Sequence, residues 1–210
     1  MSESCARVQA MCDALAHGGP DDSGIFADEN ARLVFGHRRL SIIDLSRGGH
    51  QPMTDVTKRA WITFNGEIYN YQELRTELQA YGFGFNSGSD TEVILAAYLR
   101  WGTASFGKLR GMFAFALYDA GSLKTYLVRD AAGIKPLYYS AKPDWLAFAS
   151  EIRAFKSAEP DIETDRHWQV RFLAYGHIPE PFTTLKDVFC LEKKHFLTWD
   201  HQNNNFTIGK

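Results

Sequence analysis

The stretch Phe64-Asn65-Gly66-Glu67-Ile68-Tyr69-Asn70-Tyr71-Gln72-Glu73-Leu74-Arg75 decides how this chain is read. Before it stands Ala60-Trp61-Ile62-Thr63-Phe64, an apolar run short and β-branched or aromatic enough to be a buried strand. Asn65-Gly66 is expected to break that strand, because Gly accepts backbone angles that a Cβ forbids. Asn70 then offers a helix cap, with Glu73 at the capping-box spacing. Leu74 and Leu78 fall on one face of the helix that follows, and Gly82 stops it. An amide side chain and a backbone N–H thus stand at the exit of a buried strand, where a small anion or a developing oxyanion can be held. A plain strand-turn-helix connection fits the same residues.

Working outward, Cys5 to His17 reads as a helix with Val8, Met11, Cys12 and Leu15 on one stripe. Cys5 and Cys12 lie near that stripe as small buried hydrophobes. Asp21-Asp22-Ser23-Gly24 reads as a turn. Arg32–His37 and Leu40–Asp44 read as strands separated by Arg38-Arg39. Arg39 suits bidentate clamping of a carboxylate, although on the residues alone a solvated surface arginine is the better reading. Ser46–Lys58 is a loop. Phe83 and Phe85 alternate as a short strand, and Ser89 caps a helix that buries Val93, Ile94, Ala97 and Tyr98 and ends at Gly102. Asp90 sits in its first turn, where the helix dipole favours a carboxylate. Gly111–Asp119 and Leu123–Arg129 flank Ala120-Gly121-Ser122 as a hairpin, and Leu137–Ser140 and Leu146–Ala149 follow as strands. Thr164–Tyr175 is a helix stopped by Gly176, and His177–Lys210 is loop and irregular strand.

The 210 residues suit one large domain or two small ones with a substantial core. Hydrophobic residues at 45% and charged ones at 23% belong to an ordinary soluble protein, and a net charge of -2 gives no reason to expect nucleic acid or an anionic membrane as partner. No apolar run approaches the length of a membrane span, and Met-Ser-Glu-Ser is no signal peptide, so a cytoplasmic location is expected. Three cysteines are too few and too scattered for a disulfide framework or a zinc site, and the seven histidines lack metal-ligand spacing.

Asn65-Gly66-Glu67-Ile68-Tyr69-Asn70 resembles the glutaminase domain of class II glutamine amidotransferases, and within them the asparagine synthetases. Further blocks carry the resemblance in order: Gly19-Pro20-Asp21-Asp22-Ser23-Gly24, Gly36-His37-Arg38-Arg39-Leu40-Ser41-Ile42-Ile43-Asp44 and Gly49-His50-Gln51-Pro52-Met53. Then come Ser87-Gly88-Ser89-Asp90-Thr91-Glu92-Val93, Leu109-Arg110-Gly111-Met112-Phe113-Ala114-Phe115 and Gly133-Ile134-Lys135-Pro136-Leu137-Tyr138-Tyr139. The resemblance covers nearly the whole chain and implies an α+β fold, a four-layer α/β/β/α sandwich of antiparallel sheets of the N-terminal-nucleophile type. Residues 1–210 are then one amidotransferase domain.

The family's chemistry starts at an N-terminal cysteine, whose thiolate attacks the glutamine side-chain amide. The terminal amine serves as base, and water clears the thioester. By resemblance Asn65 and Gly66 form the oxyanion hole, Arg39 holds the substrate carboxylate, and Glu67 and Asp90 hold its amino end. No cofactor is expected in this chain. ATP and magnesium serve a synthetase domain, or a separate chain, that takes the ammonia to an acceptor such as aspartate.

This sequence departs from that pattern at its start. It enters the first helix directly, without the family's opening cysteine and first strand, and Cys5 lies within the expected helix. Gly18 and Ala131-Ala132 also replace family arginines and a bulky residue. The expectation is a pocket that binds glutamine without hydrolysing it, in an asparagine synthetase-like domain inactive alone. The alternative is a degenerate, non-catalytic module that binds glutamine or a partner. A fold without its first strand exposes neighbouring strand edges, which predicts self-association or dependence on a partner that supplies the strand.

Overall fold

The computed structural model describes residues 1–40, 47–143 and 145–210. Its elements run α1 (Ser2–Ala14), β1 (Asp22–Asp28), β2 (Leu33–Arg39), β3 (Met53–Thr54), β4 (Ala60–Ile68), α2 (Tyr71–Ala80) and α3 (Asp90–Trp101). They continue with β5 (Gly111–Asp119), β6 (Lys124–Arg129), β7 (Tyr138–Lys142), β8 (Trp145–Ala149), α4 (Arg153–Ala158) and α5 (Trp168–Tyr175). The last strands are β9 (Phe189–Cys190), β10 (Phe196–Asp200) and β11 (Asn205–Gly209).

Alternation of side chains in β4, β5 and β6 gives their sheet a core on each face. These strands are central to a six-stranded antiparallel sheet, ordered β11-β10-β6-β5-β4-β3. Ile62, Phe64, Phe113, Phe115 and Leu117 face Leu74 and Leu78 of α2 and Val93, Ile94, Ala97 and Tyr98 of α3. The intervening residues Ala114, Ala116, Tyr118 and Leu127 face the other way, against Leu33 and Phe35 of β2 and Tyr139 of β7. The second layer of strands is the β1-β2 pair and the three-stranded β8-β7-β9 sheet. Helices α1 and α4 cover it through Met11, Ala154 and Phe155, which pack on Ala149. The order helix, sheet, sheet, helix is the expected four-layer α+β sandwich.

Among the described residues β1 is the one strand paired with β2, which has a further single bridge from Arg39 to Pro20, and β7 is the one strand paired with β8. Between these two edges runs a cleft of about 530 Å³, lined by Val34, Gly36 and Arg38 on one side and Trp145 to Ser150 on the other. Ala114 and Ala116 of β5 also line it, as do Val8, Met11 and Cys12 of α1. Phe35 and Phe148 meet edge to face across it, with ring centroids 5.6 Å apart. Residues Ser2–Ala14 are helical, starting three residues before the expected Cys5, so they do not lie along either edge as a strand.

Several local expectations give way to longer-range pairing. Asn65-Gly66 does not break its strand: β4 runs on to Ile68, because the β5 register continues through Asn65↔Ala114, Gly66↔Phe113 and Glu67↔Met112. Asn70 precedes α2 without a side-chain cap, since its amide bridges Lys108 O and Arg110 N instead. The Asp22–Gly24 turn is the start of β1, and Phe83 and Phe85 form no strand but pack against the core below α2 and α3. Helix α5 begins at Trp168 rather than Thr164, and β10 and β11 form a regular hairpin where an irregular tail was expected. Ser89 does cap α3, accepting from Thr91 N, while Glu92 accepts from Asn86 N and Ser87 N. Apart from Leu40, the expected strand Leu40–Asp44 lies outside the described residues.

Candidate active site

The site grows from the side of β4 that β3 leaves uncovered. β3 pairs with Ile62 and Trp61, so among the described residues β4 has no strand on that side from Phe64 onward. Side chains take over its N–H groups. Gln51 Oε1 accepts from Phe64 N at 2.7 Å, and Asp90 Oδ2 accepts from Ile68 N at 2.9 Å. Backbone alternation turns the Gly66 N–H to the same side, between these two. Gly66 has φ 148°, and a Cβ there would lie 2.1 Å from Met112 O, so only glycine fits this close to β5. Next to it the Asn65 side chain points into the space between the sheets, where Nδ2 donates to Ser150 Oγ at 3.3 Å.

Charges of both signs surround this point. Arg39, Asn65, Gly66, Glu67 and Asp90 all line the one cleft, joined by Lys135 and Glu151. Arg39 is the last residue of β2, and its guanidinium lies against Gly49 in the loop that follows. That loop is pinned twice, by Gln51 and by His50 Nδ1, which is 2.7 Å from Asp22 Oδ2. Asp90 is the first residue of α3 and is 4% exposed. Burial pushes its carboxyl above the usual range, against the pull of the Ile68 and Thr91 N–H groups, and neighbouring Glu67 adds to the rise. His37, behind Arg39 on β2, is pushed down to about 4 by burial and by the Arg39 charge, and its Nδ1 lies 3.0 Å from Thr63 Oγ1. A cationic group and two carboxylates at one cleft can hold a zwitterion, while an amide and a backbone N–H beside them can hold a negative oxygen.

The thiols are placed differently. Cys12 lines the cleft from α1 and packs on Gly36, where a Cβ would fall 2.4 Å from its Sγ. Burial, helped by Asp13, pushes that thiol up to about 11, which makes it a poor nucleophile at neutral pH. Cys190 is buried beside Arg129 and is also raised, chiefly by burial. Cys5 is half-buried on α1.

Gly49, Gln51 and Ser150 complete the site and went unassigned in the sequence. Gly49 and Gln51 lie in the Gly-His-Gln-Pro-Met block, which could have flagged them. For Ser150, 85 residues from Asn65, no local signal exists.

Comparison with known proteins agrees with this architecture. A family model described as glutamine amidotransferase domain matches residues 1–208. Glutamine-hydrolysing asparagine synthetase 1 of Bacillus subtilis is 46% identical over 176 residues, covering 84% of this chain and 27% of the relative. Asparagine synthetase 3 of the same organism is 36% identical over 203 residues, covering 94% of this chain and 32% of its own length. The chain thus spans less than a third of these relatives. Glutamine phosphoribosylpyrophosphate amidotransferase of B. subtilis superposes with a TM-score of 0.69 at 18% identity, over 96% of this chain and 45% of that one. The allosteric regulatory enzyme of purine biosynthesis gives 0.71 at 19% identity, over 98% and 46%, so the fold is shared with both. The chain belongs to the glutamine amidotransferase domain family, of the class II kind with the N-terminal-nucleophile fold and with asparagine synthetases among its relatives.

Proposed function

We propose that this domain binds glutamine between Arg39 and the Glu67–Asp90 pair, as the glutamine-handling part of an asparagine synthetase-like amide-nitrogen transfer. The observation that carries the reading is the convergence of Arg39, Asn65, Gly66, Glu67 and Asp90 on one cleft. The α-carboxylate pairs with Arg39 and the α-ammonium with Asp90 and Glu67, which directs the side-chain amide toward Asn65 and Gly66. In the full reaction a thiolate attacks that amide carbon, the oxygen gathers charge in the Asn65–Gly66 hole, and ammonia leaves. Water then releases glutamate from the thioester. The ammonia passes to an acceptor such as aspartate, in a synthetase domain that uses ATP and magnesium, in the cytoplasm.

Two of the thiols of this chain do not fit the first step. Cys12 is held protonated on the helix side of the cleft, and Cys190 is occupied with Arg129. On this reading these 210 residues bind glutamine without hydrolysing it. Calorimetry with glutamine, paired with an ammonia-release assay, tests the reading. Glutamine binding that is lost in Arg39→Ala, without ammonia release, is expected. No glutamine binding, or binding indifferent to Arg39→Ala, overturns the assignment of the pocket. Ammonia release abolished by Cys5→Ala makes Cys5 the nucleophile and overturns the inactivity.

A further inference from the structure

His50 stands between two residues that shape the cleft. On one side of it Gly49 abuts the Arg39 guanidinium, and on the other Gln51 Oε1 accepts from Phe64 N at 2.7 Å. The imidazole itself reaches back to β1, where Nδ1 is 2.7 Å from Asp22 Oδ2. A Cβ at Gly24 would fall 2.2 Å from Gln51 O and 3.0 Å from His50 Cε1 and Nε2, so this part of the loop lies directly on the strand. Three consecutive residues thus tie together β1, the end of β2 and the uncovered side of β4.

Asp22 has a second relationship to the site. In the β1–β2 register it is directly opposite Arg39. Opposite residues of an antiparallel pair project from one face, with Cβ atoms about 5 Å apart. A carboxylate at that position has the sign and the reach to take the guanidinium for itself. In the structure its two oxygens are engaged elsewhere: Oδ2 with His50, and Oδ1 accepting from Ser23 N at 2.8 Å. The His50 hydrogen bond holds the Asp22 carboxyl below its usual range, and the Arg39 charge adds to the lowering. His37, pushed down chiefly by burial, feels all three neighbours, with Arg39 and His50 lowering it further and Asp22 opposing them. The four side chains therefore share one electrostatic neighbourhood.

We propose that His50 is a positioning residue for the ligand carboxylate: it engages Asp22 and keeps Gly49 against the guanidinium, so that Arg39 meets glutamine rather than its own cross-strand neighbour. This rests on the reading that the cleft binds glutamine at Arg39. The consequence is an unusual order of effects. Removing His50 alone releases Asp22 as a rival carboxylate inside the site. Removing both leaves no rival. A residue that only steadied the loop gives the reverse order, because the second substitution adds its damage to the first.

Calorimetry with glutamine compares the wild-type chain, His50→Ala, His50→Gln and the double variant His50→Ala/Asp22→Ala. Affinity should fall about tenfold in His50→Ala, the scale of one hydrogen bond to a charged group. It should recover most of that loss in the double variant. His50→Gln, whose amide can still donate to Asp22, should stay close to the wild type. The His50 and Asp22 side chains are 51% and 35% exposed, so the core is untouched, and thermal melts of the four proteins check that each is folded. A double variant that binds no better than His50→Ala overturns the proposal. So does wild-type affinity in His50→Ala, or an equal loss in His50→Gln and His50→Ala. A wild-type chain that does not bind glutamine overturns the glutamine reading and this proposal together, whereas the other outcomes leave that reading standing.

Discussion

Gly49 and the Arg39 guanidinium occupy one space: a Cβ at position 49 would fall 2.1 Å from Arg39 Nη2. The flexible end of the arginine must give way when residue 49 carries a side chain. Gly49→Ala should therefore mimic a loss of Arg39 without touching it. Glutamine affinity should fall by roughly tenfold or more, as for loss of a charge-assisted pair of hydrogen bonds. Arg39→Lys should fall similarly, because an ammonium lacks the planar fork. Calorimetry checks both, and wild-type affinity in Gly49→Ala would show that Arg39 does not hold the carboxylate.

Asp90 supplies a pH dependence. Burial raises its carboxyl pKa, so it takes up its proton at higher pH than an ordinary aspartate. The ammonium of a bound amino acid needs the ionised form. Glutamine affinity should weaken as pH falls through that raised value. Stability runs the other way for this group: its folded pKa lies above the unfolded one, so acidification through that window favours the folded state. Asp90→Asn keeps an oxygen for Ile68 N and should leave the fold intact, while binding becomes weak and loses this pH dependence. If the affinity of the Asp90→Asn variant still tracks pH as in the wild type, the dependence belongs to another group.

His37 gives the opposite slope in stability. Its folded pKa of about 4 lies below the ordinary 6.5, so the unfolded chain binds a proton that the folded one refuses. The stability it contributes is complete above pH 6.5 and declines as pH falls toward 4. At about 1.4 kcal/mol per unit, the loss across that window is on the order of 3 kcal/mol. Denaturant midpoints measured between pH 6.5 and 4.5 should fall less steeply in His37→Asn, whose amide can still reach Thr63 Oγ1. Parallel slopes for the two proteins would remove His37 from the account.

The open edges of β2 and β8 carry a prediction about association. Unpaired strand edges invite another strand. The chain should self-associate at micromolar concentration, and a short extended peptide of small and apolar residues should raise its thermal midpoint in proportion to peptide added. Arg38 and Ser150 lie along the two borders, so a spin label at either should lose mobility with that peptide. A monomer with a sharp, reversible transition that ignores such peptides would contradict this.

The parts legible in the sequence were those settled locally. The β5–β6 hairpin announces itself through two apolar runs and a small polar turn, and α3 through Ser89 and its buried face. Asn65-Gly66 misled because the local preference of glycine for a break is weaker than nine paired positions between β4 and β5. Asn70 misled because Lys108 and Arg110, distant in sequence, compete for the amide that a cap would use. β1 alternates exposed and half-buried positions, so its polar start read as a turn. In the site, the stretch itself suggested Asn65-Gly66 as a place to hold an oxyanion, and both residues line the cleft. Arg39, Glu67 and Asp90 entered by resemblance alone, since nothing local distinguishes them from a surface arginine or a helix-start carboxylate. Ser150 was out of reach of either route.

The cleft owes its width to residues that are small. Gly36, Ala114, Ala116, Ala147 and Ala149 all line it, from one strand in each of three sheets. A chain selected for thermal robustness alone would fill such a space, since each buried methylene adds roughly 0.8 kcal/mol. Replacing Ala116 or Ala147 with valine or leucine should make a sturdier protein that has lost its entrance. The domain forgoes some of its own stability to keep this groove open, and engineering for heat resistance would select against the groove first.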